Sequence, residues 1–396
     1  MSLRLGFHYH IPAYQDEQGS YRTAGEQGVF LDSLASQCDT LICFLYSPLA
    51  HESSYMSYAL HAPNITLVNL GPHHSIPQRL IRMRQVTTQL SAWLGQLDVL
   101  LLRGPSPLLP TFAQGARGLP VALLIVGDYS AGINSVIDTG WRRALIRLFA
   151  NWNGHQQLKV ARKALTFVNS QKLYGDMQQA QVPDLKLVQT TTLTEADFYE
   201  REDTCATTPI RLLYTGRIVR AKGLFEMVDA VAWLVQHGQD VVLNLLGQTG
   251  QDATLSQLEQ YAHEKGVGDR VRYHGYKTVG PDLFAYYQDA DIYLIASLNN
   301  FEGFPRTIWE ALAHSLPVVA TRVGSIPQFL DDQRTALLVE PQDSVALGQA
   351  VLRIISDPSL RQALIKNGYD LVRHNTLERR SGEMISSIRE WLGVRP

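Results

Sequence analysis

Short, unbroken apolar runs rich in β-branched residues recur along the chain, each followed by a segment of helical length. In the first half they are "LRLGFHY", "TLICFLY", "ITLVNL", "DVLLLR", "PVALLIV", "LTFVNS" and "LKLVQTTT". In the second they are "IRLLYTG", "VVLNLLG", "VRYHGY", "DIYLIAS", "PVVATRVG" and "ALLVEP". A strand that is apolar at every position, not at alternate ones, is buried on both faces, as in a parallel sheet covered by helices. Strand–helix alternation of this kind predicts a doubly wound α/β fold. The series occurs twice, and between its halves lies "TEADFYEREDTCATTP", acidic, Thr-rich and closed by Pro, the composition of a linker. The expected organisation is an N-terminal Rossmann-like domain over residues 1–200, a linker at 201–209 and a second Rossmann-like domain over 210–377. An amphipathic C-terminal helix, 378–396, can then pack back on the first domain. Two such domains facing each other leave a cleft lined by the carboxyl ends of both sheets, where open α/β sheets bind ligands.

Composition leaves that picture intact. The 396 residues exceed what one core usually supports, roughly 250–300 residues, so two full cores fit the length. Hydrophobic content of 45% and charged content of 18% are those of an ordinary globular chain. The net charge of −2 conceals a basic region: residues 71–165 hold eleven Lys/Arg against three Asp/Glu. Cys38, Cys43 and Cys205 are too scattered for a disulfide framework or a zinc site, which points to a reducing compartment. The N-terminal "MSLRLGFHYHIPAY" has no continuous apolar core, and no run approaches the ~18 apolar residues of a spanning helix. The expected location is cytoplasmic.

The candidate chemistry lies in the second half. In "LLYTGRIVRAKGLFEMVDAVAWL", residues 212–234, a strand ends at Tyr214 and a helix begins near Leu224; the turn between them holds Gly216, Arg217, Lys222 and Gly223. Glycine admits close backbone approach, a helix N-terminus favours anions, and the two cations add charge, a combination that suits a diphosphate. Two solvated surface cations explain the turn equally well on its own. Neither a G-x-x-x-x-G-K-[ST] loop nor a G-x-G-x-x-G after the first strand occurs. Further on, in "NNFEGFPRTIWEALAHSLPVVATRVGSIP", Glu302 precedes a helix that starts near Arg306, and Glu310 falls about one turn inside it. Ile308, Leu312 and Leu316 recur at helical spacing. Carboxylates suit vicinal hydroxyls, as on a ribose or hexose ring. The bland alternatives are a charge complementing the helix dipole for Glu302 and a solvated helix face for Glu310.

"GRIVRAKG" followed by "EGFPRTIWEALAHSLPVVATRVGSIP" resembles the donor-binding half of the retaining GT-B glycosyltransferases, family 4 or group 1. The resemblance runs from about 210 to 355 and includes "LLGQTG", "DRVRYHGY", "DADIYLIAS" and "TALLVEPQD" in order. It implies a hexosyltransferase-type enzyme that uses a nucleotide diphosphate sugar and needs no metal or other cofactor. Arg217 and Lys222 would neutralise the departing diphosphate. Glu302, with the N–H groups of Gly303 and Phe304, would bind sugar hydroxyls; Arg306 and Thr307, after Pro305, would offer N–H groups to the phosphates. Glu310 would hold the ribose, while Tyr276, Gly247 and Gly216 would lie against the base and phosphates. The chain departs from the family at Gln328, where Glu is usual, at Ser325, which replaces a second Gly, and at Ala336, which also replaces Gly. The "DAD" at Asp289–Asp291 imitates a metal motif, yet it precedes a buried strand and reads as structural.

The first half is expected to supply the acceptor side. Gly25 and Gly28, in the polar stretch after the first strand, and Asp128, after "PVALLIVG", are the residues this fold would place at the cleft. His8 and His10 read as packed or capping histidines before catalytic ones. Residues 141–163, "WRRALIRLFANWNGHQQLKVARK", form a basic–aromatic amphipathic pattern that suits peripheral contact with an anionic membrane or a charged acceptor; a core helix with a solvated basic face explains it equally. Nucleic acid is not expected, because the chain is not basic overall. Expected acceptors span glycans, lipid-linked glycans and small molecules, the uses of glycan biosynthesis. A nucleotide-sugar epimerase on the same scaffold, which needs no acceptor, and a non-catalytic nucleotide-sugar-binding protein are the alternatives.

Overall fold

The structure is a computed structural model that describes residues 2–53, 56–127, 141–250, 254–298 and 304–394, without the side chains at 141–143, 145 and 394. The chain forms two compact units: Met1–Thr192 with Leu377–Pro396, and Leu193–Thr376.

Unit 1 contains β1 (Arg4–Gln15), β2 (Tyr21–Thr23), α1 (Gly25–Ala35), β3 (Thr40–Ser47), β4 (Tyr58–Ala59) and β5 (Ile65–Pro72). Then come α2 (Ile76–Ile81), α3 (Met83–Ser91), β6 (Val99–Gly104), α4 (Leu109–Gly115), β7 (Val121–Ile125), α5 (Trp141–Ala161), β8 (Leu165–Val168), α6 (Gln171–Gln179) and β9 (Leu185–Leu187). Seven strands pair in parallel in the order β5-β3-β1-β6-β7-β8-β9. The apolar runs follow from this layering. On β3, Leu41, Cys43 and Leu45 enter one core cluster while Ile42, Phe44 and Tyr46 enter another on the opposite face. Neither set meets water, so the strand shows no alternation.

Two features differ from the expectation. The polar stretch after the first strand is not a loop: β1 continues to Gln15 and turns back into β2, antiparallel, with Ala13 opposite Thr23. Asp16 closes the turn, accepting from the Ser20 and Gln18 N–H groups and from Arg22. Gly25 is consequently the first residue of α1. Gly28 is buried under Tyr58, whose ring a methyl group there would meet at 2.1 Å, so it is a packing residue and not a cleft-lining one.

His8 is fully buried, stacked on Phe112 at 3.6 Å between ring centres, with Nδ1 2.8 Å from the Phe44 carbonyl oxygen. Burial lowers its pKa to about 3, so the folded state holds it neutral. The unfolded chain protonates it near pH 6.5, so stability falls as pH drops through the interval between those values. Urea midpoints should therefore drop between pH 7 and pH 4.5 by more in the native chain than in His8→Phe, the difference amounting to about 2 kcal/mol. Equal drops would contradict the burial of an uncharged ring.

Unit 2 contains β10 (Ile210–Thr215), α7 (Leu224–Gln236), β11 (Val241–Leu246), α8 (Thr254–Glu264), β12 (Val271–Tyr273), α9 (Pro281–Asp289) and β13 (Ile292–Ile295). It continues with α10 (Arg306–Ala313), β14 (Val318–Thr321), α11 (Ile326–Phe329), β15 (Leu337–Val339), α12 (Ser344–Ser356) and α13 (Pro358–Val372). The sheet is wholly parallel in the order β12-β11-β10-β13-β14-β15, a doubly wound arrangement whose direction reverses between β10 and β13.

The division between units falls at Thr192/Leu193, earlier than the predicted linker, and residues 201–209 are anchored to unit 2. The Arg201 guanidinium donates to the carbonyls of Tyr287, Gln288 and Ala290, and Asp203 accepts from Arg361 at 2.5 and 2.9 Å. The polar composition that reads as a free linker serves to cap helix ends instead. The last helix, α14 (Leu377–Val394), belongs to unit 1: it contacts α1, buries Met384, Ile385 and Ile388, and its Ser381 hydroxyl meets that of Ser33 at 2.7 Å. Three such side chains contribute about 1.5–3 kcal/mol each. No helix among the described residues is long and apolar enough to cross a membrane.

Candidate active site in unit 2

Ligands of an open α/β sheet bind outside the strand carboxyl ends where the winding reverses, here beyond β10 and β13. The loops at that edge are fastened backbone to backbone. Gly216 N–H donates to the Leu246 carbonyl, Ile218 N–H to Gln248, and Gly247 N–H to Gly275, at 2.9 Å each. Leu298 N–H, after β13, donates to the Ala221 carbonyl at 3.0 Å, joining the loop after β13 to the turn that carries Lys222.

That turn is a short 3-10 helix, Arg220–Lys222, ended by Gly223 in the left-handed region at φ 71°, from which α7 starts. The Tyr214 hydroxyl donates to the Arg217 carbonyl at 3.0 Å and holds the backbone there, leaving the Arg217 side chain exposed. Lys222 is half-buried. Gly247, at φ 148°, lies so close to the preceding loop that a Cβ would sit 1.7 Å from the Gly216 carbonyl oxygen. Tyr276 follows Gly275 and is 57% exposed.

The other wall is α10. Phe304 packs on Trp309 at 4.3 Å and on Phe329 at 5.0 Å between ring centres, which fixes the entry into the helix. Pro305 is the N-cap, and Arg306 and Thr307 form the first turn. Glu310 does not lie on a solvated face. It is 4% exposed and accepts from the Tyr287 hydroxyl at 2.7 Å. Tyr287 in turn meets the Thr215 hydroxyl at 2.5 Å, and Tyr293 donates to the Thr307 hydroxyl at 2.7 Å. The floor of the crevice is thus a buried network of four hydroxyls and one carboxylate, built from β10, α9, β13 and α10. Burial, and then the Glu310 charge, push the Tyr287 phenol well above its usual pKa, so it stays a donor. Tyr287→Phe deletes that bond to a buried carboxylate and should cost about 1.5–3 kcal/mol of stability, read from urea unfolding; an unchanged midpoint would show that the bond is not made in solution.

Thr215, Tyr287 and Tyr293 were not legible as site residues, since each sits in an apolar run and reads as core. The available signal is the phenol itself: a buried tyrosine hydroxyl needs a polar partner. Glu302, Gly303 and Asp128 lie outside the described residues. Asp289 and Asp291 stand at the opposite, amino edge of the sheet, both paired with Arg211, and Asp291 also accepts from Cys205 N–H. Among the described residues no group of three or more His, Cys, Asp or Glu is placed to hold a metal ion.

Comparison with known proteins gives the site its context. Residues 197–371 match the family described as Glycosyl transferases group 1. A D-inositol 3-phosphate glycosyltransferase of Corynebacterium urealyticum is 33% identical over 156 residues, 38% of this chain and 36% of its own length. The lipopolysaccharide core biosynthesis glycosyltransferase LpsE of Rhizobium meliloti is 31% identical over 168 residues, 42% of this chain and 46% of its own. The chain thus matches less than half the length of these relatives. Among solved structures, sucrose-phosphate synthase from Thermosynechococcus elongatus superposes with a TM-score of 0.70 at 18% identity, over 99% of this chain and 100% of that one. Anabaena Alr3699/HepE in complex with UDP and glucose gives 0.70 at 16% identity, over 98% and 100%. The chain therefore has the GT-B fold, and residues 197–371, which hold the crevice described above, match the family of glycosyl transferases group 1.

Proposed function

We propose that the chain is a retaining glycosyltransferase that moves a hexosyl group from a nucleoside diphosphate sugar to an acceptor hydroxyl in glycoconjugate synthesis. The observation that carries this is the union, at one strand-end crevice, of the Arg217/Lys222 turn with the loop leading to α10, above a floor where Glu310 is buried and hydrogen-bonded. The diphosphate lies against Arg217, Lys222 and the first-turn N–H groups of α10; Glu310 takes the ribose hydroxyls, and Tyr276 offers a face to the base. Glu302 and Gly303 are assigned to the sugar hydroxyls by the motif resemblance, as are retention and the absence of a required metal.

The chemistry follows from where charge develops. As the glycosidic bond stretches, the sugar becomes oxocarbenium-like and the β-phosphate gains negative charge. Cations and N–H groups fixed beside that phosphate stabilise the transition state more than the bound donor, which accelerates the chemical step. HepE, which shares the fold, has been captured with UDP and with UDP-glucose, which supports a uridine nucleotide as the first donor to try. The proposal extends to cytoplasmic action with peripheral membrane contact through residues 141–163, supported by Leu148 and Trp152, 68% and 55% exposed beside Arg147 on α5. A thermal-shift screen of UDP-, GDP- and ADP-sugars tests the donor class, since a ligand bound only to the native state raises Tm. No shift with any of them, and no nucleotide released with any acceptor, would reject the proposal.

A further inference from the structure

A second concentration of charged and polar groups occupies the carboxyl edge of unit 1. The winding of that sheet reverses between β1 and β6, so the crevice outside those two strand ends is its ligand position. β1 pairs with β6 only as far as His8 opposite Leu102, and its register against β3 breaks between His8 and Pro12. Such a break bends a strand and re-aims its side chains. Around it stand His10 on β1, Tyr46 on β3, His73 just beyond β5, Arg79 on α2 and Arg103 on β6.

These groups are held in place. The Arg103 guanidinium lies 4.9 Å from the centre of the Tyr9 ring and 5.2 Å from that of Phe30, and donates to the Gln27 amide oxygen at 2.8 Å. Arg79 is only 8% exposed, with its guanidinium 5.3 Å from the centre of the Tyr46 ring. His73 has acceptors at both ring nitrogens, the Glu52 carboxylate at 2.6 Å and the His10 carbonyl at 2.9 Å, so its ring is fixed in place. His10 is driven down to about 4 by burial first and then by repulsion from Arg79, His73 and Arg103. The Tyr46 hydroxyl, on a residue 2% exposed, and His10 Nδ1 have no hydrogen-bond partner among the described residues.

We propose that this edge of unit 1 binds a phosphate-type oxyanion, gripped by Arg79 and Arg103 with the Tyr46 hydroxyl as a further donor. On the glycosyl-transfer reading, on which this last step rests, the oxyanion is carried by the acceptor. The chemistry matches at each position. Guanidinium forks meet oxyanions in two parallel hydrogen bonds, and a cation removed from water acts more strongly than an exposed one. An oxyanion also supplies acceptor atoms for the Tyr46 hydroxyl.

The test uses the full chain with 15N-labelled histidine rings, saturated with UDP so that the unit 2 site is occupied, and titrated with inorganic phosphate at constant ionic strength. His10 and His73 are assigned from His10→Gln and His73→Gln. Phosphate should shift both ring signals to saturation, and Arg103→Gln and Arg79→Gln should weaken the response about tenfold. Melting curves with UDP confirm that each variant folds; Arg103, the less buried of the two, carries the test if Arg79→Gln does not. A parallel arm uses phosphatidylcholine vesicles containing phosphatidylglycerol, and a response to these without one to phosphate assigns the oxyanion to a lipid headgroup. Signals that stay where chloride alone leaves them in both arms, or an Arg103→Gln chain that responds as the native one does, would overturn the site. A phosphate response without UDP binding counts against the donor assignment and leaves this site standing.

Discussion

Lys222→Ala should lower turnover about a hundred- to a thousandfold, the loss seen when one fixed donor to developing transition-state charge is removed. Lys222 ends the 3-10 turn whose neighbour Ala221 is bonded to the loop after β13, and its side chain is only half-buried. Its deletion should therefore leave the fold intact. The loss belongs in kcat more than in KM, because the interaction strengthens as the bond to the phosphate breaks. Steady-state kinetics together with a melting curve separate the possibilities. A Tm close to native with turnover nearly abolished is the expected pair of results. Near-native turnover would remove the diphosphate from this turn.

Gly247→Ala should destabilise unit 2 by about 3 kcal/mol or more and abolish UDP binding. Two causes act together. The residue sits at φ 148°, where a side chain is strained, and its Cβ would lie 1.7 Å from the Gly216 carbonyl oxygen, a backbone atom that cannot swing aside. Gly238 provides the comparison: its φ is 78°, yet nothing lies within 4 Å of a Cβ there. Gly238→Ala carries the conformational term alone and should cost about 1 kcal/mol. Urea unfolding of both variants measures the difference. Equal costs would mean that the close approach of the two loops does not exist in solution.

The parallel strands were legible because each is apolar on both faces, and the repeated series made the two sheets visible. β2 and β4 were not: three and two residues long and antiparallel, they are too short to carry a run to recognise. Polar composition at 201–209 conveyed a break in periodicity and nothing about Arg361 or Asp291, which lie far along the chain and hold that segment down. The Glu310 position shows the same limit. Every residue from Ile308 to Ala313 is buried, so α10 has no exposed stripe there against which helical spacing could place the acid. Its partner Tyr287 is twenty-three positions away on another helix. Gly28 reads as a loop glycine because the ring that covers it, Tyr58, belongs to an edge strand that sequence pattern does not reveal. What local pattern conveyed was the type of each element and the order of the motif; which polar groups meet across elements depends on distant contacts.

Beneath every role assigned to unit 2 is one physical statement: a single diphosphate-centred ligand fits between the cationic turn after β10 and the acid on α10. Crystals of the full chain grown with UDP examine it directly. Diphosphate oxygens within about 3 Å of the Arg217 and Lys222 nitrogens, and ribose hydroxyls at the same distance from the Glu310 carboxylate, are what it requires. A nucleotide lodged elsewhere, with those three side chains turned away from it, would contradict it.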